Sequence, residues 1–391
     1  RARALQLQFN LALFFVSASL MVILRKQWIE HERLVFPLAQ IPLAMIRVGH
    51  EQHLLPAITG NRLFWIGFGT ALAVLFWQML SFFDVLPEIT ILALYKNSLL
   101  PVRSFPEIPI TFNFLTAGVA FFTNTNVLLS TWLFFLIKTL QTGVMVRVGV
   151  PRAPWVATSQ HMGGFVVFVL FTLWMARRHL TLVWRKAIGR APDVDDSQEF
   201  LSYRTALFCL LFSLVFIFAW LQTSGMSLGI AAFLIGSLLL MFVGITRIVA
   251  ETGLIFVDLP YNAHAFTVST IGSGSISPMN LTQLALSNAY SHNWRTLGMC
   301  SMAHVSKVGD QMGGVGRGVF GVITVTLAIG VITTVLYTLY LGYFTGGAQQ
   351  FTDPPFPGGS RGSYNTLVNW LNNKRVFNGL EFLFMAIGSV V

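Results

Sequence analysis

Long windows without a charged residue constrain the fold of this chain more than any other feature. Three windows contain no Asp, Glu, Lys or Arg: Ala4–Leu24, Leu63–Phe83 and Ala153–Ala176. Each is long enough for one membrane helix, which needs about 20 apolar residues. The longer window Thr205–Thr246 is interrupted by Gln222-Thr223-Ser224-Gly225, which predicts two helices and a turn. Gly318–Thr352 predicts a further helix and Leu380–Val391 the start of another. The fold class predicted is all-α, a polytopic transmembrane helix bundle with broken or re-entrant segments.

Composition supports a membrane protein and excludes several other classes. Hydrophobic residues make up 54% of the chain and charged residues only 10%, against about 25% charge in a soluble domain. Two cysteines are too few for a disulfide framework. The net charge of +10 fits basic cytoplasmic loops better than nucleic-acid binding. The lipid bilayer is therefore the expected partner, and nucleic acid is not.

The positions of the cations predict a topology. Arg and Lys residues concentrate in loops 25–62 and 177–204, so both loops are expected in the cytoplasm. Between these loops the chain must then cross an even number of times. Segments 63–83, about 127–146 and 156–176 give three crossings, which makes residues 108–122 the candidate for a fourth.

The chain is expected to be one membrane domain, residues 1–391, and a fragment of a longer protein, because it begins at Arg1 and stops within an apolar run. Two regions are too irregular for simple spans: the Pro-containing segment 31–62 and the Gly- and Pro-rich segment 247–317. Irregular backbone at membrane depth survives only when it is buried in protein or lines a cavity. Both regions therefore either line a pathway or form surface loops with interfacial helices.

Ionisable groups near membrane depth are the candidates for function, because inserting each one costs about 2.5–3.5 kcal/mol. Glu251 follows an apolar helix, and Arg247 lies four residues before it on the same helix face. Glu251 is either a proton- or ion-coupled carboxylate or one half of a structural ion pair with Arg247. Asp258, seven residues further on, is a second candidate for the same pathway.

Weaker candidates lie elsewhere. Lys138 interrupts an apolar segment and either faces substrate or extends to the membrane surface. Asn113 either lines the pathway or bonds a neighbouring helix. Cys300, Met302 and His304 are ligands suited to a soft metal, but such residues usually serve packing. No metal or other cofactor is predicted.

Familiar nucleotide motifs are not supported. Gly316-Arg317-Gly318-Val319-Phe320-Gly321 matches G-x-G-x-x-G, but it precedes a membrane helix and follows no strand, so close helix packing explains it better. The chain has no Walker A lysine and no catalytic constellation, so a membrane enzyme is the weakest of the functional hypotheses.

Three segments carry a resemblance to a known family. Gln27–Gln40 reads QWIEHERLVFPLAQ, with Glu-Arg-Leu and then Pro-Leu-Ala-Gln after a membrane helix. Thr111–Gly118 is a short Gly-containing span, and Arg247–Gly253 has the pattern Arg-x-x-x-Glu-x-Gly. Together they resemble a poorly characterised bacterial family of polytopic membrane proteins that is distantly similar to the oligopeptide transporter (OPT) superfamily. The resemblance covers most of the chain in order.

The resemblance implies a proton-coupled secondary transporter of peptides or metal-chelate-like solutes in the bacterial inner membrane. Residues 247–280 and 108–126 would line its path, with Glu251 as the coupling carboxylate. The chain lacks a clear match to the strongest substrate-contact motifs of peptide transporters, which leaves the solute class open. The alternative is a non-transporting structural or accessory subunit of a larger respiratory or photosynthetic complex. Homo-oligomers or complex partners are compatible with either hypothesis.

Overall fold

The protein is built almost entirely of helices. A computed structural model of the chain describes residues 2–46, 57–87, 89, 98–99, 105–254, 257–291, 298–313, 316–344 and 357–390. The α-helices in these ranges are α1 (Ala2–Lys26), α2 (Pro37–Ile46), α3 (Arg62–Phe82), α4 (Phe114–Phe122), α5 (Thr125–Arg147), α6 (Ala153–Met175), α7 (Arg177–Ala187), α8 (Tyr203–Thr223), α9 (Leu228–Thr252), α10 (Ala263–Ile271), α11 (Pro278–Leu286), α12 (Asn288–Ser291), α13 (Gly298–Gln311), α14 (Gly316–Phe344), α15 (Pro357–Asn372) and α16 (Gly379–Val390). Among the same residues, strand structure is confined to an antiparallel pair, β1 (Ser98–Leu99) and β2 (Ile108–Pro109).

Long apolar helices define the class of the protein. In the described ranges, 7 helices are long and apolar enough to cross a membrane: Gln8–His31, Arg62–Phe82, Thr125–Arg147, Ala153–Met175, Tyr203–Thr223, Leu228–Thr252 and Gly318–Phe344. The shorter helix α16 is also apolar. The predicted all-α polytopic bundle is confirmed, and the chain is an integral membrane protein.

The helix boundaries follow from local sequence. Ser202 caps α8, and its hydroxyl accepts a hydrogen bond from the Thr205 backbone N–H. α8 ends at Thr223 within the predicted polar interruption. Gly225, with φ of 94°, makes the turn because glycine adopts positive φ without steric cost. The apolar window Thr205–Thr246 thus forms two helices, as its sequence predicts.

Residues 108–122 differ from the expectation of a membrane crossing. Pro109 ends β2, and helix α4 covers only Phe114–Phe122, 9 residues. At 1.5 Å per residue such a helix is about 13 Å long, less than half of the ~30 Å hydrocarbon layer. Asn113 and Asn124 explain the short length, because each caps the start of a helix and so divides the apolar run. Helix α4 is therefore too short to be the predicted fourth crossing. The location of loops 25–62 and 177–204 on the same side of the membrane stays a prediction.

The two predicted cytoplasmic loops contain helical structure. Loop 177–204 includes α7, an 11-residue helix with basic residues in its first and last turns. Loop 25–62 includes the end of α1 and all of α2, while its residues 47–56 lie outside the described ranges. The expectation of a single domain also stays a prediction. Contacts divide the chain into two compact units, unit 1 with residues 1–33, 161–247 and 257–391, and unit 2 with residues 34–160 and 248–256.

Unit 1 has its core around α1. α1 packs against α8 and α13. Near its start, the Phe9 ring lies 4.5 Å from Trp220 and 4.6 Å from Tyr290, measured between ring centroids. Near its end, α1 contributes to a buried apolar cluster whose members are Val22, Ile23, Val183, Phe200, Tyr203 and Ala206. The charged end of α1 is therefore fixed between apolar side chains.

Unit 2 is held by close contacts around α5. Gln141 donates a hydrogen bond to Gln160 at 2.7 Å. Phe105 packs so close to Gly143 that a Cβ at that glycine would lie 2.2 Å from its ring. α2 packs against α4, and the Phe36 backbone N–H donates to the Ala250 carbonyl at 2.9 Å. Unit 2 thus combines the short helices α2 and α4 with the long helices α3 and α5.

Candidate functional site

The last turn of α1 carries charge into the protein interior. Arg25 and Lys26 end the helix, where cations interact favourably with the helix dipole. The chain then continues in a π-helical turn, Gln27–His31, closed by a hydrogen bond from the Glu32 backbone N–H to the Gln27 carbonyl at 2.9 Å. Arg33 follows with φ of 53°, a left-handed conformation that a residue with a side chain rarely adopts. π turns and strained residues concentrate at functional sites.

Arg25 lies at the centre of a charge network. Its side chain is only 2% exposed, and its guanidinium contacts three carboxylates. The Nε atom donates to Glu199 Oε2 at 2.8 Å, Nη2 to Glu30 Oε1 at 3.1 Å and Nη1 to Asp310 Oδ1 at 3.4 Å. The partners come from the π turn, from the segment before α8 and from α13. One buried cation therefore joins three elements of unit 1.

The three carboxylates are not equivalent. Glu199 is 0% exposed, whereas Glu30 and Asp310 are 45% and 36% exposed. Glu199 Oε1 has no hydrogen-bond partner among the described residues. Burial raises the pKa of the Glu199 carboxyl, and the Arg25 guanidinium opposes that rise. Water screens the other two carboxylates, so only Glu199 bears the full cost of desolvation.

A second ion pair adjoins this network in sequence. Glu32 accepts from Gln27 Nε2 at 2.7 Å through one carboxylate oxygen, and from Arg247 through the other. Both members of the Glu32–Arg247 pair are nearly buried. Arg247 is thus joined to a residue 215 positions away that sequence reasoning used only as part of a family motif.

We expect Glu32 and Arg247 to be energetically coupled. In a double-mutant cycle of Glu32→Gln and Arg247→Gln, the coupling free energy should be about 1 kcal/mol, because each substitution removes the interaction between the two charges. Chemical unfolding in detergent measures the four stabilities. As the matched control, the exposed Arg204→Gln should combine additively with Glu32→Gln, within about 0.5 kcal/mol. If the effects of the two substitutions are additive in both cycles, Glu32 and Arg247 are not energetically coupled and the ion pair is not part of the site.

The other residues predicted from sequence lie in both units. Glu251 is exposed in the last turn of α9, and Asp258 is exposed beyond residues 255–256, which lie outside the described ranges. Asn113 caps α4 by accepting from the Thr116 backbone N–H at 3.1 Å. Lys138 is half-buried on α5. Glu251, Asn113 and Lys138 belong to unit 2, whereas Arg247 and Asp258 belong to unit 1. Their common pathway stays a prediction.

The weak metal candidates lie on α13. Cys300 and Met302 are buried, and Cys300 Sγ lies 3.4 Å from Thr246 Oγ1. His304 Nδ1 forms a hydrogen bond with the Cys300 carbonyl at 2.7 Å. Among the described residues, no group of three His, Cys, Asp or Glu side chains could hold a metal ion.

Two interruptions of helical structure in unit 1 bond to each other, and we call them the paired breaks: residues 272–277, between α10 and α11, and residues 373–378, between α15 and α16. The Ser273 backbone N–H donates to the Arg375 carbonyl at 2.8 Å, and the Phe377 N–H donates to the Ser269 carbonyl at 2.8 Å. The Arg375 N–H donates to Ser273 Oγ at 2.9 Å. Three hydrogen bonds thus hold the two breaks together, one of them through Ser269 in the last turn of α10.

Charged side chains fix the second break. Asn378 caps α16, and Glu381 forms a capping box with it, since each side chain accepts from the other residue's backbone N–H at 2.7 and 2.9 Å. Arg375 donates to Glu381 Oε1 at 2.9 Å and to the Tyr261 hydroxyl at 3.1 Å. Because Glu381 is 0% exposed, this ion pair anchors the break inside the protein.

Sequence reasoning missed most of these charges. Arg25 counted only toward the basic loop, and Glu199, Asp310 and Arg375 were not selected. Glu381 had a usable signal, because it is the single charge in the apolar run 376–391. Glu199 had none, since its partner lies 174 positions away and its local sequence is polar.

Comparison with known proteins identifies a family. A family model described as a family of unknown function (DUF6785) matches residues 7–391. No curated protein and no solved structure matches the chain.

Proposed function

The chain belongs to the family of unknown function DUF6785, and we propose that it is a proton-coupled secondary transporter of small, peptide-like solutes in the bacterial inner membrane. The paired breaks carry this proposal. Secondary transporters bind solutes at discontinuous helices, whose half-helix ends and free backbone groups contact the solute. α10 and α11 flank one break and α15 and α16 the other.

The cost of the paired breaks supports a functional role. Non-helical backbone costs several kcal/mol per unsatisfied group in a bilayer, so continuous helices would be the cheaper structure. The chain instead keeps two breaks, caps both following helices and anchors one with the Arg375–Glu381 pair. Glu251 remains the coupling carboxylate predicted from the resemblance to oligopeptide transporters.

The test is proton-coupled uptake into liposomes. We expect dialanine, trialanine or tetraalanine, added outside proteoliposomes that contain a pH-sensitive dye, to acidify the lumen as solute and protons enter together. Ser273→Pro should abolish this signal, because proline removes the N–H that donates to the Arg375 carbonyl. The matched control Ser273→Ala keeps that N–H and should retain uptake. Folding of both variants is checked by gel filtration in detergent.

The proposal fails if folded wild-type protein moves neither protons nor peptides, and if a ferric chelate such as iron(III) citrate is equally inert. Equal uptake by Ser273→Pro and Ser273→Ala would show that transport does not depend on the paired breaks. These two results are distinguishable, because the first contradicts the transport function and the second contradicts only its assignment to the paired breaks.

A second candidate function is an accessory subunit of a larger membrane complex, and α14 favours it. No side chain in the apolar window of α14 is buried, although Phe14 stacks on Phe320 near its start at 6.2 Å. A long apolar helix with a free face can pack on a partner as well as on lipid. Stoichiometric copurification with other subunits from native membranes, together with inert proteoliposomes, would favour this function.

A further inference from the structure

Glu199 differs from every other carboxylate of the charge network. It is 0% exposed and lies beside Phe200 and Tyr203 of the apolar cluster in unit 1. Its Oε2 accepts from Arg25, while its Oε1 has no hydrogen-bond partner among the described residues. The hydroxyl of Tyr203, the first residue of α8, is likewise buried without a hydrogen-bond partner among the described residues. A carboxylate oxygen in such a place needs a proton or a donor to offset its desolvation.

The charges around Glu199 leave an excess of negative charge. Among the described residues, Arg25 is the one buried cation, and Glu30 and Asp310 share it with Glu199. Other ionisable groups lie near this end of α1. They are Lys26, which bonds the Asp195 carbonyl, His31 of the π turn, His179 and Lys186 of α7, and Asp195 and Asp196 of the segment before α8. His179 donates from Nε2 to the Ile23 carbonyl at 2.8 Å, and burial lowers the pKa of its imidazole. Neutralising one carboxylate therefore reduces the repulsion.

We propose that Glu199 is a proton-binding site, which takes a proton from water at Oε1 and returns it to water on release. Its complete burial excludes larger ligands, and the half-exposed Glu30 and Asp310 connect the network to solvent. Protonation leaves Arg25 with two ionised partners, so the guanidinium stays compensated. The Arg25–Glu199 bond weakens, and the segment before α8 is released from the end of α1.

Burial supports this assignment through its effect on the pKa. The pKa of the Glu199 carboxyl is raised by desolvation, so the folded protein binds this proton more tightly than the unfolded chain does. The stability that the protonated group contributes is present in full below the unfolded value of about 4.3 and is lost as pH rises through the folded value. Glu199→Gln mimics the protonated form and should be spared this loss.

Infrared difference spectroscopy during a pH titration, from about pH 4 to about pH 9, tests the assignment. In the wild-type protein we expect the carbonyl band of a buried carboxylic acid to vanish as pH rises, with a midpoint above 4.3. The band should be missing in Glu199→Gln and present in Glu30→Gln, the matched control from the same network. Asp310→Asn should move the midpoint to lower pH, because removing a nearby negative charge favours ionisation. This last variant keeps the test valid if Glu199→Gln does not fold.

Two results overturn the proposal: a folded wild type without such a band, or a band that Glu199→Gln and Asp310→Asn both leave unchanged. The melting temperature gives an independent measure, since that of Glu199→Gln relative to wild type should increase with pH. Coupling of this proton to solute movement rests on the proposed transport function, but the titration does not. Inert proteoliposomes with an intact titration would contradict transport alone, and active proteoliposomes without the titration would contradict Glu199 alone.

Discussion

Replacing Arg25 by methionine is expected to lower the free energy of unfolding by about 3–5 kcal/mol. The substitution keeps an unbranched apolar side chain but removes the guanidinium, which is the buried cation of the network. Glu199, Glu30 and Asp310 would then repel one another, and Glu199 would be left as an uncompensated charge in an apolar environment. Chemical unfolding in detergent, followed by intrinsic tryptophan fluorescence, measures the loss.

The same substitution at Arg177 is the matched control. Arg177 is exposed, with its guanidinium 4.0 Å from the Trp174 ring centroid. Exposed interactions of this kind contribute about 0.5–1 kcal/mol, so Arg177→Met should cost no more than that. Adding Glu199→Gln to Arg25→Met should restore part of the stability, because it removes the uncompensated buried charge. Equal losses at Arg25 and Arg177 would show that the network does not hold unit 1 together.

Substitutions of Arg25 and of Glu199 are expected to affect stability differently, because the network has one buried cation and three carboxylates. One cation serves three carboxylates, so losing the cation affects all of them, whereas losing one carboxylate leaves the cation paired. Glu199→Gln should therefore be tolerated where Arg25→Met is not. This asymmetry is the property that a reversible proton site requires, since the network must hold in both protonation states.

Membrane helices were predictable because their signal is local. A window such as Leu63–Phe83 needs only its own composition to predict α3, and the polar run before Gly225 needs only its own turn chemistry to predict the α8–α9 hairpin. Residues 108–122 show the limit of this reasoning. Apolar composition there suggested a span, whereas two capping asparagines shorten the helix.

The charge network was not predictable, because its signal is long-range. Arg25 and Glu199 are 174 positions apart, and Arg25 and Asp310 are 285 apart. Each lies in a sequence that is typical of a basic or polar loop, and only the packing of α1 against α8 and α13 brings them together. For the paired breaks, the glycines and Pro278 marked one partner as irregular, but nothing in 373–378 indicated that Arg375 would bond to a residue 102 positions earlier.

Replacing Gly163 by alanine is expected to destabilise the protein by about 1–3 kcal/mol, although alanine is the better helix former. Gly163 lies where α6 crosses α16. A Cβ at this position would lie 1.9 Å from the carbonyl oxygen of Met385, closer than atoms can approach. Because that oxygen belongs to helix backbone, relief requires the two helices to separate. The adjacent Gly164 repeats the contact, with its Cβ position 3.0 Å from the Gly388 carbonyl oxygen.

Close approach of this kind is how membrane helices associate, since lipid provides no hydrophobic drive between them and packing must supply the attraction. The control is Gly236→Ala in α9, where nothing lies within 4 Å of the added methyl group. It should stabilise the protein by up to about 1 kcal/mol through helix propensity alone. Opposite signs for the same substitution, measured by thermal unfolding in one detergent, would establish the α6–α16 crossing. A stabilising Gly163→Ala would mean that α16 does not pack there, and the second of the paired breaks, which begins α16, would lose its support.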